Sequence, residues 1–232
     1  MVARRCLLVL ALALATVRCA DHPIAVPQTP MAPQALRWAP NLQPRFSAIS
    51  SSARGHNGGT LFTTPPLGLD QYAVSFWAVR GEQRSVQINY QSPIDNLTHP
   101  FLSLSITDPV SVPGVGNLAI GDSVLVTVAV DTVNLAISLE PTGIQFGTPA
   151  HLQIWYGGAN GDLNGDGVAD SADIFVEHEL LGLWYREGDT DSWHPVPSSH
   201  DVEGKYFTSE LPHFSEWELC WVSDLLDWTV SW

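Results

Sequence analysis

The chain has little positive charge and little cysteine. Ten Lys and Arg stand against 24 Asp and Glu in 232 residues, a formal net charge of −14. A nucleic-acid partner requires a basic face to neutralise phosphates, so that class is excluded. Only three Cys are present, and Cys6 lies in the first apolar run, so Cys19 and Cys220 are the one pair left for a bridge. A disulfide-stapled framework is excluded with it. Apolar runs are short as well, and none after the first approaches the ~20 residues of a membrane-spanning helix. What the chain does have is 45% hydrophobic residues with 18 Gly, 17 Pro and nine Trp. That is ample for one packed domain with many turns. The charge is uneven: sixteen of the 24 carboxylates follow residue 150, where Arg186 and Lys205 are the only Lys or Arg. Chemistry that uses carboxylates is therefore expected in the last third.

Arg4 and Arg5 precede an apolar run, Cys6 to Ala15, followed by small or polar residues. This is the pattern of a secretory signal peptide over 1–20 and implies a secreted or otherwise extracytoplasmic protein, in the periplasm, on an outer-membrane surface or outside the cell. Lipidation of Cys19 would be the only membrane attachment, although Arg18 stands where such signals carry a small residue. Residues 21–68 hold Pro23, Pro27, Pro30, Pro33, Pro40 and Pro44, then Ser50 to Ser52 and Gly55 to Gly59, with no apolar period. That composition predicts an extended, flexible tether.

Alternation begins at Gln71. Tyr72, Val74, Phe76 and Ala78 share one face, Arg80 to Gln83 reads as a turn, and Ser85 to Tyr90 alternates again, which predicts a β-hairpin. Further strands are expected at Phe101–Thr107, Ser123–Val130, Leu135–Leu139, His151–Tyr156, Leu181–Arg186, Lys205–Glu210 and Glu216–Val222. Many short strands and one short helix near Ser171 to His178 define the expected class: all-β, a β-sandwich over 69–222 with an inserted calcium loop, then a C-terminal tail over 223–232. Trp77, Trp155, Trp184, Trp217 and Trp221 fall in these strands and are expected in the core. An exposed set of them would instead suggest a carbohydrate-binding face.

The strongest local pattern is Asp162-Leu163-Asn164-Gly165-Asp166-Gly167-Val168-Ala169-Asp170-Ser171-Ala172-Asp173. It follows the D-x-[DN]-x-[DN]-G loop, with Asp rather than Glu at the twelfth place. A hard cation takes six to eight oxygens, and a loop curling around it turns alternate residues inward. Asp162, Asn164 and Asp166 would supply side-chain oxygens, Val168 its carbonyl, Asp170 a direct or water-mediated contact, and Asp173 the closing carboxylate. The expected ion is Ca²⁺. The run resembles the calcium repeat of dockerin modules, in which Asp at the twelfth position is normal; dockerins carry two repeats and this chain has one, which argues against cohesin docking.

Other catalytic signatures fail. Glu177-His178-Glu179 begins like a zinc-protease helix, but Gly182 occupies the place of the second His. No nucleophile elbow or phosphate-cradling loop is present. Asn96-Leu97-Thr98 is a glycosylation sequon.

A wider resemblance rests on Leu139 to Phe146, Pro149 to Tyr156, Leu183-Trp184-Tyr185, Trp193 to Pro197 and His213-Phe214-Ser215, in that order. Together these look like the ZU-five type β-sandwich of ankyrins, netrin receptors and bacterial envelope proteins, over about 135–222. The signal peptide, the tether and the Asp162–Asp173 loop point to a non-enzymatic structural or interaction module with a protein or glycan partner, and the resemblance supplies its expected fold. It also implies an alternative, because some relatives cleave themselves within His-Phe-Ser: Ser215 would attack the Phe214 carbonyl with His213 as base.

Overall fold

The computed structural model describes residues 32–39, 45–52, 62–63, 67–68, 72–188 and 190–222. The expected signal peptide over 1–20, with Cys19, and the tail over 223–232 lie outside the described residues. In chain order the strands are β1 (Gln34–Ala35), β2 (Arg45–Ser52), β3 (Phe62–Thr63), β4 (Leu67–Gly68), β5 (Ala73–Val79), β6 (Arg84–Gln91), β7 (Thr98–Ile106), β8 (Asp108–Val112) and β9 (Gly116–Asn117). They continue with β10 (Ser123–Val130), β11 (Ala136–Glu140), β12 (Gln145–Trp155), β13 (Leu181–Arg186), β14 (His194–Pro195), β15 (Ser199–Asp201), β16 (Tyr206–His213) and β17 (Glu216–Trp221). A 3₁₀ turn (Gly157–Ala159), helix α1 (Ser171–Phe175) and a π-type turn (Val176–Leu180) fill the crossover between β12 and β13.

Two antiparallel sheets result, and among the described residues the fold is all-β with one short helix. The first runs β14-β13-β17-β11-β10-β5, with β1 added on β17. The second runs β15-β16-β12-β7-β6-β2-β3, with β4 on β2 and the β8–β9 pair on β12. Alternation dictates the packing. Val74, Phe76 and Ala78 of β5, Val126 and Val128 of β10, and Ile137 and Leu139 of β11 are buried on the first sheet. On the second, Val86 and Ile88 of β6, Leu102 and Leu104 of β7, and Leu152 and Ile154 of β12 are all buried. All of these belong to one continuous core, which supplies the hydrophobic driving force.

The expected hairpin from Gln71 to Tyr90 is corrected. β5 pairs with β10, whereas β6 pairs with β2 and β7, so the Arg80–Gln83 turn carries the chain from one sheet to the other. The two strands have the alternation of a hairpin but bury their apolar rows in a shared core. Arg80 anchors the crossing, because its Nε donates to Asp108 Oδ1 at 3.0 Å and its Nη1 donates to the Leu118 carbonyl.

The tether reading also fails for the described part of 21–68. β2 pairs with β6 over its whole length, from Arg45↔Gln91 to Ser52↔Arg84. Leu36 and Trp38 are buried, and Trp38 packs edge-on to Phe46 and Tyr90 with its indole N–H donating to the Asp131 carbonyl at 2.9 Å. Gly158 allows this, since a Cβ there would fall 2.2 Å from the Trp38 ring. Two apolar residues among prolines give no period, yet both reach the core. Trp77 departs in the opposite direction and is 57% exposed, while Trp184 and Trp217 are buried. Cys220 is buried and unbridged.

Candidate functional site

The loop 162–173 lies in the crossover that joins the two sheets. Left-handed conformations at Asn160, Gly161, Gly165 and Gly167 curl it tightly, and a Cβ at Gly165 or Gly167 would meet nothing, so glycine serves conformation alone there. Asp162 Oδ1 accepts from the Gly165 amide at 2.9 Å and Oδ2 from the Gly167 amide at 3.0 Å. Asn164 Oδ1 accepts from the Asp166 amide and Asp166 Oδ1 from the Val168 amide, each at 2.9 Å, while Asn164 Nδ2 donates to Asp166 Oδ2 at 3.1 Å. Successive side-chain turns of this kind follow from Asp and Asn at alternate positions.

Asp173 closes the ring. Its Oδ1 accepts from the Leu163 amide at 2.7 Å and the Asn164 amide at 3.0 Å, and its Oδ2 from the Asp170 amide at 2.8 Å. Asp170 in turn accepts from the Ala172 amide at 2.7 Å, completing a capping box at the start of α1. Burial would raise the Asp173 pKa, but the amides around the carboxylate outweigh it and hold the group below the usual range. Leu163 is buried and pins the loop to the core. Among the described residues, no three Asp, Glu, His or Cys side chains converge as a ready metal cluster. The donor chemistry nevertheless suits a hard cation: each carboxylate oxygen that accepts one amide keeps a second lone pair.

Below the loop, Glu177 is buried and clamps the crossover to the second sheet. Tyr156 at the end of β12 donates its hydroxyl to Glu177 Oε1 at 2.9 Å, and the same oxygen receives the Lys205 ammonium. The Tyr156 hydroxyl then accepts from His200 Nε2 at 2.8 Å, which assigns the proton to that nitrogen. Burial, with the Glu177 hydrogen bond and charge, pushes the Tyr156 pKa well up, and burial pulls the His200 pKa down. Glu177 thus serves a structural network. No spacing rule signalled it, because its partners Tyr156 and Lys205 come from two other segments.

At the β16–β17 junction, Phe214 is fully buried and its carbonyl accepts from the Gly143 amide at 3.0 Å. His213 Nε2 is 3.5 Å from Glu187 Oε1. His213 Nδ1, Ser215 Oγ and the Trp217 indole nitrogen are buried and have no hydrogen-bond partner among the described residues. Comparison with protein-family models, with curated proteins and with solved structures gives no match.

Proposed function

We propose that this chain is a secreted or envelope-anchored, non-enzymatic β-sandwich module of the ZU-five type, in which the 162–173 loop holds one Ca²⁺ and the module has a structural or interaction role. The observation that carries the ion reading is the ring closed by Asp173, with oxygen donors at alternate positions around it. Asp162, Asn164, Asp166, Asp170 and Asp173 would hold the ion through side chains and Val168 through its carbonyl. An ion there offsets the repulsion of four carboxylates in twelve residues and orders a segment whose two ends enter different sheets. Calorimetric titration of the metal-stripped protein with Ca²⁺ is expected to show one site that Asp162→Ala/Asp166→Ala abolishes. Absence of binding to the unmutated protein defeats the ion reading.

A second reading is self-processing between Phe214 and Ser215. It is favoured by the unpartnered Ser215 hydroxyl, the unpartnered His213 Nδ1, and the Gly143 amide already donating to the carbonyl that would carry the negative charge. Ser215 Oγ would add to the Phe214 carbonyl carbon as His213 takes its proton. The C–N bond then breaks, giving an ester and a free Ser215 amine, and water hydrolyses the ester to leave a Phe214 carboxylate. Intact mass spectrometry decides it: a fragment beginning at Ser215 must form in the unmutated chain and be absent in Ser215→Ala.

A further inference from the structure

Of the strands that end the two sheets, β5 differs from the rest. β3, β4 and β14 are two residues long and β15 is three, and β14 carries Pro195 and β15 Asp201. Short strands, proline and charge keep a sheet edge from pairing with a foreign strand. β5 has none of these. Ala73–Val79 is seven residues long, holds no proline and no charged side chain, and pairs with β10 without a bulge from Ala73↔Ala129 to Val79↔Ser123.

The register fixes which backbone groups face outward. The Val130 amide donates to the Tyr72 carbonyl and the Arg80 amide to the Asp122 carbonyl, each at 2.9 Å, so the even-numbered residues between them bond to β10. The N–H and C=O groups of Ala73, Ser75 and Trp77 therefore point away from β10, and among the described residues no strand meets them. The outer face beside this edge is uncharged as well. Ser75 and Trp77 are exposed, the Ser75 hydroxyl shares a hydrogen bond of 2.8 Å with Thr127, and the exposed Leu125 lies across from Trp77. Glu140, across from Thr127 on β11, is the first carboxylate in from the edge along that row. Only another extended strand offers donors and acceptors at the spacing of the bare row.

Charge and symmetry select a second copy of this chain as that strand. Two molecules of formal charge −14 repel, so they meet most readily where neither presents a carboxylate, and β5 with the facing row of β10 is such a surface. An antiparallel edge is also its own complement under a two-fold axis. With the axis at Phe76, Ser75 of each copy faces Trp77 of the other, and the two exchange both backbone hydrogen bonds. Opposed residues point to the same face, so Val74, Phe76 and Ala78 of both copies continue one apolar row. We propose that β5 is a self-association edge, through which two copies join their first sheets into one antiparallel sheet. This goes beyond the reading above, since it needs neither the ion nor cleavage at Phe214.

Sedimentation velocity over a concentration series, with residue-level amide exchange on the same protein, tests it. The expected result is a reversible monomer–dimer equilibrium that tightens as NaCl is raised, because salt screens the repulsion of two acidic chains. The Ser75 and Trp77 amides are expected to exchange fast in dilute solution and to become protected in concentrated solution. The Val74 and Phe76 amides, bonded to β10, stay slow throughout. Ser75→Pro removes an outward N–H and Trp77→Lys charges the edge, and each is expected to weaken association at least about tenfold. Trp77→Lys leaves the backbone unaltered should Ser75→Pro fail to fold, and Ile94→Lys, at the exposed β6–β7 tip, is expected to leave association unchanged. Four results would each overturn the proposal: a monomer at every concentration, a dimer untouched by Trp77→Lys, a dimer weakened as much by Ile94→Lys, or Ser75 and Trp77 amides already protected in the monomer by another part of the chain.

Discussion

The 162–173 loop and the 213–217 junction treat polar groups in opposite ways. In the loop, carboxylates at Asp162, Asp166, Asp170 and Asp173 all find backbone amides within a dozen residues. At the junction, His213 Nδ1, Ser215 Oγ and the Trp217 indole N–H are buried with no partner among the described residues. The difference is one of origin. Loop polarity is satisfied by local turns that the sequence can form alone, whereas junction polarity is trapped by two strands that bury their neighbours Phe214, Trp217 and Leu219. The first arrangement is complete as a structure and could only gain from an ion. The second leaves buried polar atoms that nothing described around them satisfies.

The sharpest way to break this contrast is Asp173→Ala. It deprives three amides of a buried charged acceptor and is expected to cost about 3–4 kcal/mol in urea unfolding, even with EDTA present. Because the Asp173 pKa is depressed, its contribution is present above about pH 4 and lost as pH falls through the folded value. A near-neutral result would mean that the ring is not self-sufficient.

Glu218, next to Trp217 on β17, carries the opposite sign. Burial raises its pKa from 4.5 to about 7, with the Cys220 thiol donating to it at 3.6 Å. The folded state holds that proton when the unfolded state has released it, so stability falls as pH rises from 4.5 to about 7. Glu218→Gln should then stabilise the protein by up to about 3 kcal/mol above pH 7 and by nothing below pH 4.5, read as the difference between two urea-stability profiles.

Ca²⁺ at a hundredfold excess over its Kd should add about 2.7 kcal/mol to the unmutated protein and none to Asp162→Ala/Asp166→Ala, checked by thermal unfolding with and without EDTA. The smallest effect is expected from Ser215→Ala. Removing an unpaired buried hydroxyl should leave stability unchanged or raise it by up to about 1 kcal/mol, and a loss of 2 kcal/mol or more would reveal a partner for Ser215.

Strands whose two faces differ were legible one residue at a time. Ala73–Val79 and Ser123–Val130 form as their alternation predicts. Arg45–Ser52 was not, because a strand rich in Ser owes its place to backbone pairing with β6, and that pairing leaves no mark on its own side chains. Leu36 and Trp38 were hidden for a related reason: two apolar residues set among prolines have no period, and only the space left by Gly158 shows why Trp38 is buried. Within the loop the turn residues were legible, since Asp, Asn and Gly at fixed offsets specify local hydrogen bonds. The Tyr156–Glu177–His200–Lys205 clamp was not, as it draws residues from several segments.

The sequence by itself determined the local matters: an all-β chain, an acidic last third, a curled loop of Asp and Asn at alternate positions, and little basis for nucleic-acid binding. Local steric and hydrogen-bonding preferences act over a few residues and are written in their order. Tertiary structure alone decided that β5 and β6 part company, that a Pro-rich front enters the sheets, that Trp77 faces water while Trp217 is buried, and that polar atoms of His213, Ser215 and Trp217 are enclosed together. Those outcomes depend on which apolar faces meet across the core, and that choice is made jointly by strands far apart in the chain.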